Sequence, residues 1–274
     1  MPTKSRPLLA SGLLVLIIPS AVFGIVIRHD VPDSRYRVSD NYFPPLADLP
    51  VEGHAVLISP CWLVTAAHAV TWQKTPISEV SIVGRQRAVK RLVVHPLYHR
   101  PPQAGRGDAA PLMKFLLKDP DIALIELAAP VRDVRPALPY RDGSENGKIA
   151  EIIGKGVSGN GLIGEQPGGS HRTFLRRAFN RITSAKGRWI TYRFDRGSNA
   201  LPLEGMQASG DSGGPLLIKD HGQWKLAGLT SWKFVQGDLA NFRPETYGQV
   251  NYDVRVAFYR KWINSVISSE PLCT

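Results

Sequence analysis

The sequence predicts an all-β fold, a sandwich or barrels, ended by a single C-terminal helix. Three observations carry this. From Val51 onward, short runs rich in Val, Ile, Leu, Thr and Trp recur at close spacing. The 25 glycines and 22 prolines are spread between those runs, as expected for many short elements and not for a few long ones. Near the end of the chain the apolar spacing changes to that of a helix. With 43% apolar and 21% charged residues, the composition excludes a disordered or fibrous chain.

In chain order, the first element is a leader. Lys4 and Arg6 precede the apolar run Leu8 to Ile18, and Pro19-Ser20-Ala21 follows. This is the layout of a secretory signal peptide, with cleavage after Ala21 or Gly24 leaving a small residue at the cut. An uncleaved anchor is the alternative, because apolar residues continue to Ile27 and a span needs roughly twenty of them. Both put the body outside the cytoplasm, secreted or periplasmic in the first case, membrane-anchored and facing outward in the second. Removing residues 1–24 takes Lys4 and Arg6 with it and lowers the formal charge from +11 to +9. The remaining basic residues are scattered, with no basic-aromatic stripe, so nucleic acid is not an expected partner.

The strands expected next are Ala55 to Ile58, Trp62 to Thr65, Val80 to Val83, Leu92 to Val94, Ile122 to Ile125 and Ile149 to Ile153. Trp189 to Tyr192, Pro215 to Ile218 and Trp224 to Thr230 continue the series. Arg100 to Lys118, rich in Pro and Gly, reads as an inserted loop with a helical turn around Leu112 to Leu117. At the end, Phe258, Trp262, Ile263, Val266 and Ile267 share a helical stripe, with Asp253 as its expected cap.

Three short motifs carry chemistry: Thr65-Ala66-Ala67-His68, Asp121-Ile122-Ala123-Leu124 and Gly210-Asp211-Ser212-Gly213-Gly214-Pro215. Singly, each has a plain reading: a core histidine, a strand start, a tight turn. Together they supply an acyl-transfer site. A hydroxyl becomes a good nucleophile when an imidazole takes its proton, and a buried carboxylate fixes the imidazole's tautomer and stabilises its charge. Ser212 is the expected nucleophile, His68 the base and then acid, and Asp121 the orienting carboxylate. Asp108, in a Gly-Asp-Ala context, is the reserve aspartate. Glycines around Ser212 allow the N–H groups of Gly210 and Ser212 to converge where an oxyanion develops.

With these motifs in this order, the chain resembles the chymotrypsin/trypsin family of serine peptidases. The resemblance covers Ile25 to Ile267. It implies two six-stranded antiparallel β-barrels with a C-terminal helix, the site lying between the barrels. The corresponding division is a leader over 1–24, an N-terminal barrel over 25–136, a C-terminal barrel over 137–252, and a helix and tail over 253–274. It implies an exported serine endopeptidase acting on proteins or peptides as a monomer. A non-catalytic binding protein on the same fold and a serine esterase are the alternatives.

The resemblance also assigns finer roles. Ser231-Trp232 matches the strand that pairs with an extended substrate. Met206 stands at the floor of the specificity pocket, where it cannot pair with a basic substrate residue. Lys233 replaces a wall glycine, so it narrows the entrance, presents an ammonium to it, or extends into solvent. A new N-terminus at Ile25 would pair with Asp211, although the residues after Ile25-Val26 are Ile27 and Arg28 where the family has two glycines. Cys61 and Cys273 form a bridge on this layout; two free thiols are the alternative. No cofactor and no metal are expected, since Pro96 separates His95 from His99 and the other histidines form no cluster.

Overall fold

A computed structural model describes residues 25–102, 106–166, 168–169 and 174–269. The leader and Cys273 therefore lie outside the described residues. Sixteen strands are described: β1 (Ile25–Ile27), β2 (Leu46–Asp48), β3 (His54–Ser59), β4 (Trp62–Thr65), β5 (Glu79–Ile82), β6 (Arg85–Val94), β7 (Ala123–Leu127) and β8 (Ile149–Gly154), followed by β9 (Ser158–Asn160), β10 (Gly164–Glu165), β11 (Arg176–Lys186), β12 (Trp189–Arg193), β13 (Gly205–Met206), β14 (Pro215–Asp220), β15 (Gln223–Lys233) and β16 (Val250–Arg255). The helices are α1 (Ala67–Thr71), α2 (Ala110–Lys118) and α3 (Val256–Ser268).

Twelve of the strands close into two antiparallel six-stranded barrels, ordered β2-β3-β4-β7-β6-β5 and β11-β12-β16-β15-β14-β8. A four-stranded sheet, β10-β9-β1-β13, adjoins the second. Closure leaves no barrel edge unpaired. β4 and β7, neighbouring strands of the first barrel, are buried throughout, which explains their near-continuous apolar sequences. β11 instead alternates: Ala178, Asn180 and Ile182 face inward while Phe179 and Arg181 between them face outward. One core fills each barrel, and a third, containing Val56, Val64 and Leu124 with Leu217, Leu229 and Val254, joins the two.

Three expectations need correction. The helical turn expected around Leu112 to Leu117 is part of a longer helix, α2 (Ala110–Lys118), with Pro111 in its first turn, where a missing N–H costs nothing. Met113 enters the joining core, and Leu112 and Leu116 pack against it. Asp253 is not a helix cap. It is a fully buried member of β16, paired with Thr230 and Ile190, and the helix starts at Val256. The buried face of α3 runs through Val256, Tyr259 and Ile263, which leaves Phe258 half exposed on the flank. Burying those apolar side chains is worth roughly 1.5–3 kcal/mol each, enough to fix the helix against the joining core.

Candidate active site

His68 sits in α1, the single helical turn that follows β4. Asp121 stands two residues before β7, the strand that pairs with β4. The pairing of β4 with β7 thus converts a separation of 53 residues into contact. The His68 N–H donates to Asp121 Oδ1 over 2.8 Å, and His68 Nδ1 lies 2.6 Å from Asp121 Oδ2. Ser231 Oγ donates to the same Oδ2 over 2.5 Å. Burial opposes the charge on Asp121, but the imidazole and these donors outweigh it and hold the carboxyl below its ordinary pKa.

Ser212 comes from the second barrel, on the loop between β13 and β14. Its Oγ is 2.7 Å from His68 Nε2, which completes a line of hydrogen bonds from hydroxyl to carboxylate. Two backbone bonds clamp the loop to the first barrel: Gly53 N–H donates to the Gly210 carbonyl over 3.1 Å, and His54 N–H to the Ser212 carbonyl over 2.7 Å. Gly213, with φ +73°, is required here. A Cβ on it would stand 2.1 Å from Thr65 Oγ1 and 2.3 Å from the His54 carbonyl. The N–H groups of Gly210 and Ser212 donate to no acceptor among the described residues, so both are free for a developing oxyanion.

Asp211 is fully buried. Its carboxylate accepts from Gly156 N–H over 2.7 Å and from Ala208 N–H over 2.9 Å, and approaches His54 Nε2 at 3.7 Å. Lys155 N–H donates to that same Nε2, which assigns the His54 proton to Nδ1, 3.0 Å from Asp48. Ile25 is fully buried at the head of β1, beside Ser158, and Val26 pairs with Met206. Among the described residues, Gly156 and Ala208 supply the hydrogen bonds to the Asp211 carboxylate.

A cleft of about 500 Å³ opens over the triad. Ala208, Ser209 and Gly210 form one wall, Ser231, Trp232 and Lys233 another, and Leu112 and Leu116 of α2 a third. Trp232 stacks on Tyr252 at 3.9 Å between ring centres and meets Trp189 edge-on. Met206 does not line this cleft: it is wholly buried in the second barrel's core. Lys233 does line it, but its ammonium turns inward to Glu245 Oε1 at 2.7 Å instead of reaching solvent. Asp108 is exposed and accepts from Ala110 N–H at the head of α2, away from the triad.

Sequence reasoning missed Glu165, Glu245 and the role of Ser231 toward Asp121. Nothing local marks the two glutamates, since their partners lie on other loops. Cys61 is buried in the joining core, and Cys273 is beyond the described residues. Among the described residues no three His, Cys, Asp or Glu side chains are grouped to hold a metal, and no helix is long and apolar enough to cross a membrane.

A family model described as Trypsin matches residues 34–263. Transmembrane protease serine 9 of Rattus norvegicus is 31% identical over 232 residues, 78% of this chain and 19% of that protein. Vitamin K-dependent protein C of Mus musculus is 27% identical over 235 residues, 78% and 46% of the two chains. Transmembrane protease serine 11C of Mus musculus is 28% identical over 236 residues, 77% and 47%. The match thus spans less than half the length of each of these relatives.

Proposed function

Because the chain belongs to the trypsin family, we propose that it is a serine endopeptidase working through an acyl-enzyme on Ser212. The observation that carries the proposal is the unbroken line Ser212 Oγ, His68 Nε2, His68 Nδ1, Asp121 Oδ2, each step within hydrogen-bond reach. His68 takes the Ser212 proton as the oxygen attacks the scissile carbonyl. The Gly210 and Ser212 amides receive the oxyanion. His68 then protonates the leaving amine, and the sequence repeats with water.

A peptide laid along Ser231-Trp232-Lys233 as an added strand would present its carbonyl to Ser212. Uncharged small side chains before the scissile bond fit this reading best, since Lys233 takes up space in the cleft. Export of a monomer by way of the leader, a Cys61–Cys273 bridge, and pairing of a new N-terminus at Ile25 with Asp211 belong to the same proposal. So does the absence of nucleic acid among the partners. In the processed protein an ammonium at Ile25 would replace or join the donors that Asp211 already has. N-terminal sequencing of the exported protein tests that step, and a start other than Ile25 removes it.

Labelling by a fluorophosphonate probe tests the chemistry. Labelling of the wild type, its loss in Ser212→Ala, and cleavage of casein are the expected results. A folded wild type that resists the probe would leave a binding protein on the same fold, and ester hydrolysis without casein cleavage would leave an esterase.

A further inference from the structure

Lys233 ends β15, directly after the residues that would pair with substrate. The side chain preceding the scissile bond must then enter between Ala208-Ser209-Gly210 and Ser231-Trp232-Lys233, the two walls that flank Ser212. Lys233 already sends its own side chain into that space. Only 15% of it is exposed, and its ammonium meets Glu245, which is completely buried. Glu165 acts electrostatically on both members of this pair, and its carboxylate also accepts the Ser209 N–H. Asp211 and Asp253 feel the same ammonium from farther away. One cation therefore answers a group of carboxylates gathered from four separate segments.

The backbone supports this arrangement. Glu245 adopts φ +61°, an uncommon conformation for a residue with a side chain, and its N–H is held by Gln249 Oε1 over 2.6 Å. Burial pushes the Glu245 carboxyl up to about 8, with Glu165 adding to the rise and Lys233 opposing it. Burial works against the Lys233 charge too, but Glu245 and Glu165 outweigh it and raise its pKa. The Lys233 ammonium lies against Glu245 and is not presented to the cleft as a free charge for an acidic substrate. Removing the ammonium would leave the Glu245 carboxyl facing space that another cation could enter.

We infer that Lys233 is a built-in occupant of the specificity pocket, standing where a substrate lysine or arginine would go, and that the pocket beneath it is acidic through Glu245 and Glu165. This deepens the peptidase proposal and rests on its placement of the substrate. The wild type accepts small uncharged residues because its own lysine fills the deeper space. Shortening that lysine uncovers a site for ammonium, guanidinium or amidinium groups.

Benzamidine binding measured calorimetrically on a Ser212→Ala background tests this without depending on turnover, so failure of the peptidase reading would not mask the result. Lys233→Gly is expected to bind benzamidine about 10- to 100-fold more tightly than its parent, the gain of one charge-assisted contact. Adding Glu245→Gln should reverse most of that gain. A folded Lys233→Gly protein that binds no better than the parent overturns the inference. Should Lys233→Gly fail to fold, the parent decides: no saturable benzamidine binding supports the occupied pocket, and ready binding shows it open and refutes the inference.

Discussion

The triad and the pocket beside it lie within one cleft and handle charge in opposite ways. At the triad, one carboxylate receives three donors, from the His68 amide, the His68 ring and the Ser231 hydroxyl. In the pocket, one ammonium is shared among several carboxylates. The first arrangement holds an anion fixed so that an imidazole keeps one tautomer and orientation. The second keeps a cation out of water and takes up room that substrate would otherwise use.

The largest test of this contrast is Asp121→Asn. Loss of the carboxylate should lower kcat by about 10⁴ near neutral pH with little change in KM, because the imidazole is left in the wrong tautomer. Steady-state kinetics on a peptide substrate reads it. A harmless substitution would mean that Asp121 only supports the fold. Ser231→Ala should cost far less, about 10-fold in kcat, since it removes one of three donors to the same carboxylate. An unchanged kcat would show the other two donors to be sufficient.

Both glutamates of the pocket were invisible to sequence reasoning, and the reason is physical. The triad residues each lie inside a short local motif, because the backbone around them must take a particular path. Gly213 is there to let the nucleophile loop touch Thr65 and His54. Glu165 and Glu245 are not constrained that way: they matter only because β10 and the segment before β16 converge on Lys233, and such convergence leaves no local pattern. The same difference runs through the fold. β4 matched its apolar run, Trp62 to Thr65, residue for residue, whereas β11 escaped notice because arginines occupy its outer face. Asp253 looked like a cap because Asp commonly starts helices, but pairing across β12 and β15 carried it into the barrel.

The smallest expected effect concerns stability. Burial raises Asp253 from 3.8 to about 7, Glu204 from 4.5 to about 7, and Glu245 to about 8. The native protein keeps these protons over a range in which the unfolded chain has lost them. Their contribution is complete below about pH 4 and disappears as pH rises through 7 to 8. Thermal unfolding scans should therefore show Tm falling between about pH 5 and pH 8. Asp253→Asn should flatten that slope up to about pH 7. A Tm that rises across this interval would contradict the protonated, buried state of these groups.

The central claim is a covalent one, and mass spectrometry of an acid-quenched reaction reads it directly. With a slowly deacylating peptide ester, the account predicts an acyl adduct confined to the peptide that carries Ser212 and absent from Ser212→Ala. Product formed at the wild-type rate with no adduct, or with the adduct on another residue, would contradict it.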